Sequence, residues 1–222
     1  MAASNGFLSG GVYRGIAPES NIISLKILDE AGHGTSLWAL EAIQWIHQNC
    51  EKYNIRIVNM SIGTNDSVIS SALLNAVKGL YSSKITVIAA AGNENHYRVS
   101  SPGISPYVIT AGAMEDKVRF KFKASKSYYY KPDIFTPSED IVSCRSENFS
   151  FAASNRSSEQ AINESYISMS GTSMATPMIA GAAALLYQYN PAFTPYDIKH
   201  ILNSAAKANG NVLNLEKVFR SL

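Results

Sequence analysis

Cysteine is scarce: Cys50 and Cys144 are the only two in 222 residues. They are too few and too far apart for a disulfide framework or a thiolate metal cluster, so both read as unpaired thiols and leave the compartment open. Charge of either sign is also in short supply, with 19 Lys and Arg against 17 Asp and Glu. The basic residues are scattered rather than striped, which excludes the electrostatic footprint of a nucleic-acid surface. Their one concentration, Arg119 to Lys126, reads as a solvated loop. No apolar run reaches the roughly 20 residues of a membrane span, and the first residues lack a charged-then-apolar leader pattern. The expectation is a soluble chain, secreted or cytoplasmic. What is abundant is apolar residues, 46% of the total. With no repeat or linker, they suit one compact domain over residues 1–222.

Apolar periodicity alternates between two kinds of segment. Asn21 to Leu28, Ile55 to Met60, Ile85 to Ala91 and Tyr107 to Ala113 read as strands, whereas Leu37 to Cys50 and Val68 to Leu80 repeat at helical spacing. This order predicts an α/β fold, a mostly parallel sheet flanked by helices in three layers. Asp133-Ile-Phe and Asp140 to Cys144 predict short strands around a Thr136-Pro137-Ser138 turn, and 146–165 reads as an exposed loop. That loop carries Asn-x-Ser at Asn148, Asn155 and Asn163, which Ser/Asn-rich composition produces on its own. Thr194 and Asn214 predict caps for helices over Pro195–Ala206 and Leu215–Leu222.

The chemistry concentrates in residues 168–186, SMSGTSMATPMIAGAAALL, a small polar turn running into an Ala-rich apolar helix. Ser173 sits at the junction, where helix N–H groups lack partners and can face a developing negative charge. Pro177 is expected near the helix start, where a missing N–H matters least. A polar N-cap before a buried helix would read the same way. A second segment, VIAAAGNEN over 87–95, breaks the tie. Together the two motifs closely resemble those of the subtilisin family of serine peptidases. The resemblance implies Ser173 as nucleophile, Asn93 as oxyanion donor and Thr172 as its support. It also implies that Ser61-Ile62-Gly63 and Ala90-Ala91-Gly92 wall the substrate cleft by pairing with an extended peptide. The partner so implied is a polypeptide substrate.

A serine hydroxyl needs a neighbouring base, and that base needs a carboxylate to fix its tautomer. The family carries both on segments that precede an Ile-Ala-Pro stretch, which here lies at residue 16. Residues 1–6 resemble the tail of the histidine helix. Asp and His are therefore expected from a missing N-terminal segment of the same protein, which leaves this chain inactive alone. His33, in Gly32-His-Gly-Thr, copies half of the histidine motif but lacks its continuation and reads as a solvated loop residue; His96 reads as an exposed one. The alternative is a non-catalytic subtilisin-like domain that binds peptides or proteins. Calcium is common in the family, yet the Gly-rich opening loop offers Asn5 and carbonyls rather than clustered carboxylates, so no metal is assigned. Thr136-Pro137-Ser138 stands where the family usually has Ala-Pro-Gly.

Overall fold

The structure is a computed structural model that describes residues 2–29, 32–93, 99–115, 120–124, 127–146, 160–220 and 222, with backbone alone for 120–128. Four strands form the central sheet: β1 (Ile57–Met60), β2 (Thr86–Ala90), β3 (Val108–Ala113) and β6 (Ile134–Thr136), in the order β1-β2-β3-β6 and all parallel. Their composition explains the layering. Successive side chains of a strand point to opposite faces, and β2 is buried along its whole length, so both faces must be covered. Val87 and Ala89 join Ile43, Ile46, Leu73, Val77 and Leu80 on one side, beneath α1 (Ser36–Asn49) and α2 (Ser67–Ser82). Ile88 points the other way, into Ala175, Ile179, Ala183, Leu186, Ile198 and Leu202 of α3 (Thr172–Tyr189) and α4 (Pro195–Lys207).

The Thr194 and Asn214 caps are present as expected, and Asp66 supplies one that was not expected. The Asp66 carboxylate accepts the Val68 and Ile69 N–H groups, Thr194 and Asp197 form a reciprocal capping box ahead of Pro195, and Asn214 accepts from Lys217 at the start of α5 (Leu215–Arg220). A second, antiparallel sheet of β7 (Ile141–Cys144), β9 (Tyr166–Met169) and β8 (Gln160–Ala161) delivers the chain to the start of α3. The rest of the expected 146–165 loop, with Asn148 and Asn155, lies outside the described residues. Asn163 instead turns back, its side chain accepting the Ser165 and Tyr166 N–H groups.

Three expectations change. Asn21 to Leu28 is not a strand: among the described residues none of its backbone groups has a backbone partner, and Ile22 and Ile23 are 71% and 45% exposed. A strand exists only by pairing, and among the described residues this segment has no strand neighbour, while β1 lies at the edge of the sheet. Arg119 to Lys126 is not simply a solvated loop, because β4 (Phe120–Ala124) pairs antiparallel with β5 (Ser127–Lys131). Its period-2 order, Phe-Lys-Phe-Lys, was the signal that charge counting overrode. Residues 2–6 are irregular rather than helical. So short a segment gains too few hydrogen bonds to nucleate a helix, and instead the Gly15 and Ala17 N–H groups donate to the Ser4 and Ala2 carbonyls.

Beyond β5 lies a buried charge cluster that the sequence did not flag. Lys131, wholly enclosed, donates to Asp133 at 2.5 Å, to the Val108 carbonyl at 2.6 Å and to the Thr110 hydroxyl at 2.7 Å. Lys199 of α4 adds a second ammonium 3.6 Å from the same carboxylate.

Candidate active site

The carboxyl ends of β1 and β2 and the amino end of α3 meet at one place, which is where parallel sheets gather ligands. Gly171 caps α3 with φ 135°, a conformation only glycine adopts freely, and turns the chain from β9 into the helix. The N–H groups that follow are divided unequally. That of Thr172 donates to the Asn93 side-chain oxygen at 2.9 Å and that of Met174 to the Gly171 carbonyl at 2.9 Å. Among the described residues the Ser173 N–H has no partner. An uncommitted donor therefore stands beside the Ser173 hydroxyl at the positive end of a long helix.

Asn93 is oriented by Thr172. The Thr172 hydroxyl also donates to the Asn93 side-chain oxygen, at 2.9 Å, and itself accepts the Gly92 N–H at 3.2 Å. With that oxygen doubly occupied, the amide nitrogen is the end left to act outward. It lies close to the cap: a methyl group on Gly171 would stand 2.9 Å from it.

Ser61 and Ser173 clasp one another. The Ser173 hydroxyl donates to the Ser61 carbonyl at 3.1 Å, and the Ser61 hydroxyl donates to the Ser173 carbonyl at 2.9 Å. Pro177 explains the second bond and corrects the expectation made for it. It lies inside α3, not in the turn where its missing N–H is harmless. In an α-helix its N–H would have bonded the carbonyl four residues earlier, that of Ser173, and the Ser61 hydroxyl takes that place. Asn59 in turn donates to Ser61 at 3.1 Å.

The tripeptides 61–63 and 90–92 converge on a residue that the sequence reading missed. A methyl group on Gly63 would stand 2.8 Å from the Ser100 Cβ, and one on Gly92 would stand 2.5 Å from the Ser100 hydroxyl, so Ser100 fills the floor between them. It is 6% exposed. Nothing local marks it: Ser100-Ser101-Pro102 reads only as a turn. The two walls differ in what they offer. The Ala91 N–H and carbonyl are engaged by Ala111 and Ser100, and the Gly92 N–H by Thr172, whereas among the described residues the Ile62 and Gly63 backbone groups are uncommitted.

The histidines lie elsewhere. His33 is exposed, its N–H held by the Asp29 carboxylate; His47 faces Ser83, and His200 stacks on Tyr196. His96 falls outside the described residues. Among the described residues no histidine bonds to Ser173, and no group of three or more His, Cys, Asp or Glu could hold a metal ion.

Comparison with known proteins gives this geometry a context. Residues 1–219 match the family described as the subtilase family. The serine protease AprX of Bacillus subtilis (strain 168) is 38% identical over 226 residues, covering 91% of this chain and 50% of its own. Subtilisin E of the same organism is 32% identical over 202 residues, covering 89% and 46%. The chain thus spans about half the length of the curated relatives it matches. Among solved structures, a psychrophilic protease superposes with a TM-score of 0.70 at 26% identity over 93% of this chain and 67% of that one. A cold-adapted subtilisin-like serine proteinase does so with 0.62 at 30%, over 86% and 62%.

Proposed function

Because this chain belongs to the subtilase family of serine proteases, we propose that it forms one domain, the core of a serine endopeptidase with Ser173 as its nucleophile. One observation carries the reading: the Ser173 hydroxyl, its uncommitted N–H and the Asn93 amide nitrogen stand together at the start of α3. In the proposed reaction the hydroxyl attacks a peptide carbonyl and the developing oxyanion is held by the Ser173 N–H and the Asn93 side chain. Thr172 acts through Asn93, keeping its oxygen turned away. Ser61-Ile62-Gly63 pairs with the extended substrate, since among the described residues the Ile62 and Gly63 backbone groups are uncommitted. Ala90-Ala91-Gly92 walls the side-chain pocket, and Ser100 floors it.

The base and its orienting carboxylate come, on this reading, from a further segment of the same protein. The chain alone then has no turnover, because among the described residues the proton of Ser173 has no acceptor stronger than the Ser61 carbonyl. That same bond is the observation favouring the second reading, a peptide-binding domain that needs no base. Calcium, which the family resemblance offers, takes no part in these steps, and no residue is assigned to hold it.

The test adds a peptide ester to the chain alone and to the longer protein that includes the aspartate and histidine motifs. Turnover is expected only in the second case, and Ser173→Ala should abolish it. Asn93→Ala should lower kcat there by about 10²–10³, the known cost of losing such a donor in a subtilisin. Activity that survived Ser173→Ala would sink the nucleophile assignment. A Ser173-dependent burst from the chain alone would sink the assignment of the base to another segment.

A further inference from the structure

Ser138 follows β6 in the Thr136-Pro137-Ser138 turn. It is 1% exposed, and its polar groups face two ways. Its carbonyl accepts the Gly171 N–H, the cap of α3, at 2.8 Å. Its N–H donates to Glu115 Oε1 at 3.4 Å and its hydroxyl donates to Glu115 Oε2. Further bonds hold the same turn. The Thr136 hydroxyl donates to the Ala175 carbonyl at 3.1 Å, the Asp140 N–H to the Ser170 hydroxyl at 3.0 Å, and the Met114 N–H to the Thr136 carbonyl at 2.9 Å. The first turn of α3 is thus suspended from residues 136–140, and these from the end of β3.

We propose that Glu115 is a positioning residue for the nucleophile turn: its carboxylate fixes Ser138, the Ser138 carbonyl fixes Gly171, and Gly171 sets how the Ser173 N–H and hydroxyl leave the helix. The proposal rests on Ser173 being the nucleophile and adds an acid limit to that site. Gly171 has no side chain of its own to anchor, so its position depends on what its N–H is bonded to. An ionised carboxylate accepts from both Ser138 donors, whereas a protonated one turns one oxygen into a donor and gives up part of that capacity. Burial acts to raise the Glu115 pKa, but the Ser138 hydroxyl and the backbone groups of residues 115, 138 and 139 outweigh it and hold the carboxyl below the usual glutamate range. The clamp is therefore intact at neutral pH and opens as pH falls through that depressed value. The other titratable side chains on the turn are Glu139 and Asp140; the first turn of α3 carries none. Residues 116–119 lie outside the described residues.

The test is residue-resolved hydrogen exchange on the whole chain at low concentration, reading Gly171 protection relative to Leu186, deep in α3. At neutral pH, Glu115→Gln and Ser138→Gly should each lower this ratio roughly fivefold, the scale of one hydrogen bond. Ser138→Thr, which keeps the hydroxyl, should preserve it, as should Glu139→Gln and Asp140→Asn. In the unaltered chain the ratio should hold down to about pH 4.3, the ordinary glutamate value, and fall below it, and in Glu115→Gln it should be flat. An unchanged ratio in Glu115→Gln, or a fall reproduced by Asp140→Asn, overturns the proposal. So does loss of Leu186 protection in both Glu115→Gln and Ser138→Gly, which would make the contact a support of the whole fold. No peptidase activity is read, so failure here is distinct from failure of the nucleophile assignment.

Discussion

At the residue scale the most informative relation is between Pro177 and Ser61, 116 positions apart in the chain (177 − 61 = 116). A proline four residues after Ser173 orphans the Ser173 carbonyl, and a serine hydroxyl from the end of β1 takes that place. Ser61→Ala should therefore cost about 1 kcal/mol in urea unfolding, the net worth of a hydrogen bond. Pro177→Ala restores an N–H to the same carbonyl, so the double variant should lose less than Ser61→Ala does in the otherwise unaltered chain. Strict additivity in that cycle would mean the two groups do not serve one acceptor. Thr172→Val should weaken Asn93 orientation while leaving Ser173 in place. In the longer protein it should lower kcat with KM little changed, and an effect confined to KM would contradict the support role.

Among the elements, the start of β6 is held by charge and its end by the first turn of α3. Asp133 accepts from the buried Lys131 and from the Thr110 N–H, with the half-buried Lys199 nearby. Burial alone would raise its pKa, but the two ammonium groups outweigh that and keep the carboxyl below the usual range. A depressed carboxylate pKa means that stability from Asp133 is complete above about pH 4, the unfolded value, and is lost as pH falls through the lower folded value. Lys131→Met should cost about 3–5 kcal/mol in urea unfolding, because it leaves the carboxylate buried and largely uncompensated. Replacing both, Lys131→Met with Asp133→Leu, should cost less than Lys131→Met alone; a larger loss would show that the Thr110 contact, not the charge pair, dominates. These residues form a Lys-Pro-Asp tripeptide whose sequence carries no periodic signal, because what it satisfies comes from β3 and α4.

For the whole molecule, the decisive feature is the unpaired side of the sheet. Among the described residues β1 has a strand on one side only, and segment 21–28 makes no backbone–backbone hydrogen bond and has exposed isoleucines. Such edges recruit other strands. The chain alone should self-associate at micromolar concentration in light scattering. Ile22→Lys with Ile23→Lys should reduce this, because charge on an open edge opposes edge-to-edge pairing. A monodisperse monomer with a sharp thermal transition would contradict the expectation.

Much of the fold was determined by the sequence alone, since periodicity and capping are local. Val87 and Ile88 must face opposite layers whatever their neighbours, and Asp66, Thr194 and Asn214 begin helices with their own side chains. The GTSMATP and AAAGN segments drew attention to Ser173 and Asn93, which the fold brings to the start of α3. What only the tertiary structure decided were the relations between distant segments. Whether 21–28 becomes a strand depends on a partner, since hydrogen bonds across an edge are not written in the segment that offers them. Ser100 as the floor between two glycines, the Ser61 hydroxyl in place of a missing helix N–H, and Glu115 beneath Ser138 are meetings of residues with no shared pattern. Each arises because a buried polar group must find a partner, and the fold, not the local sequence, determines which partner is within reach.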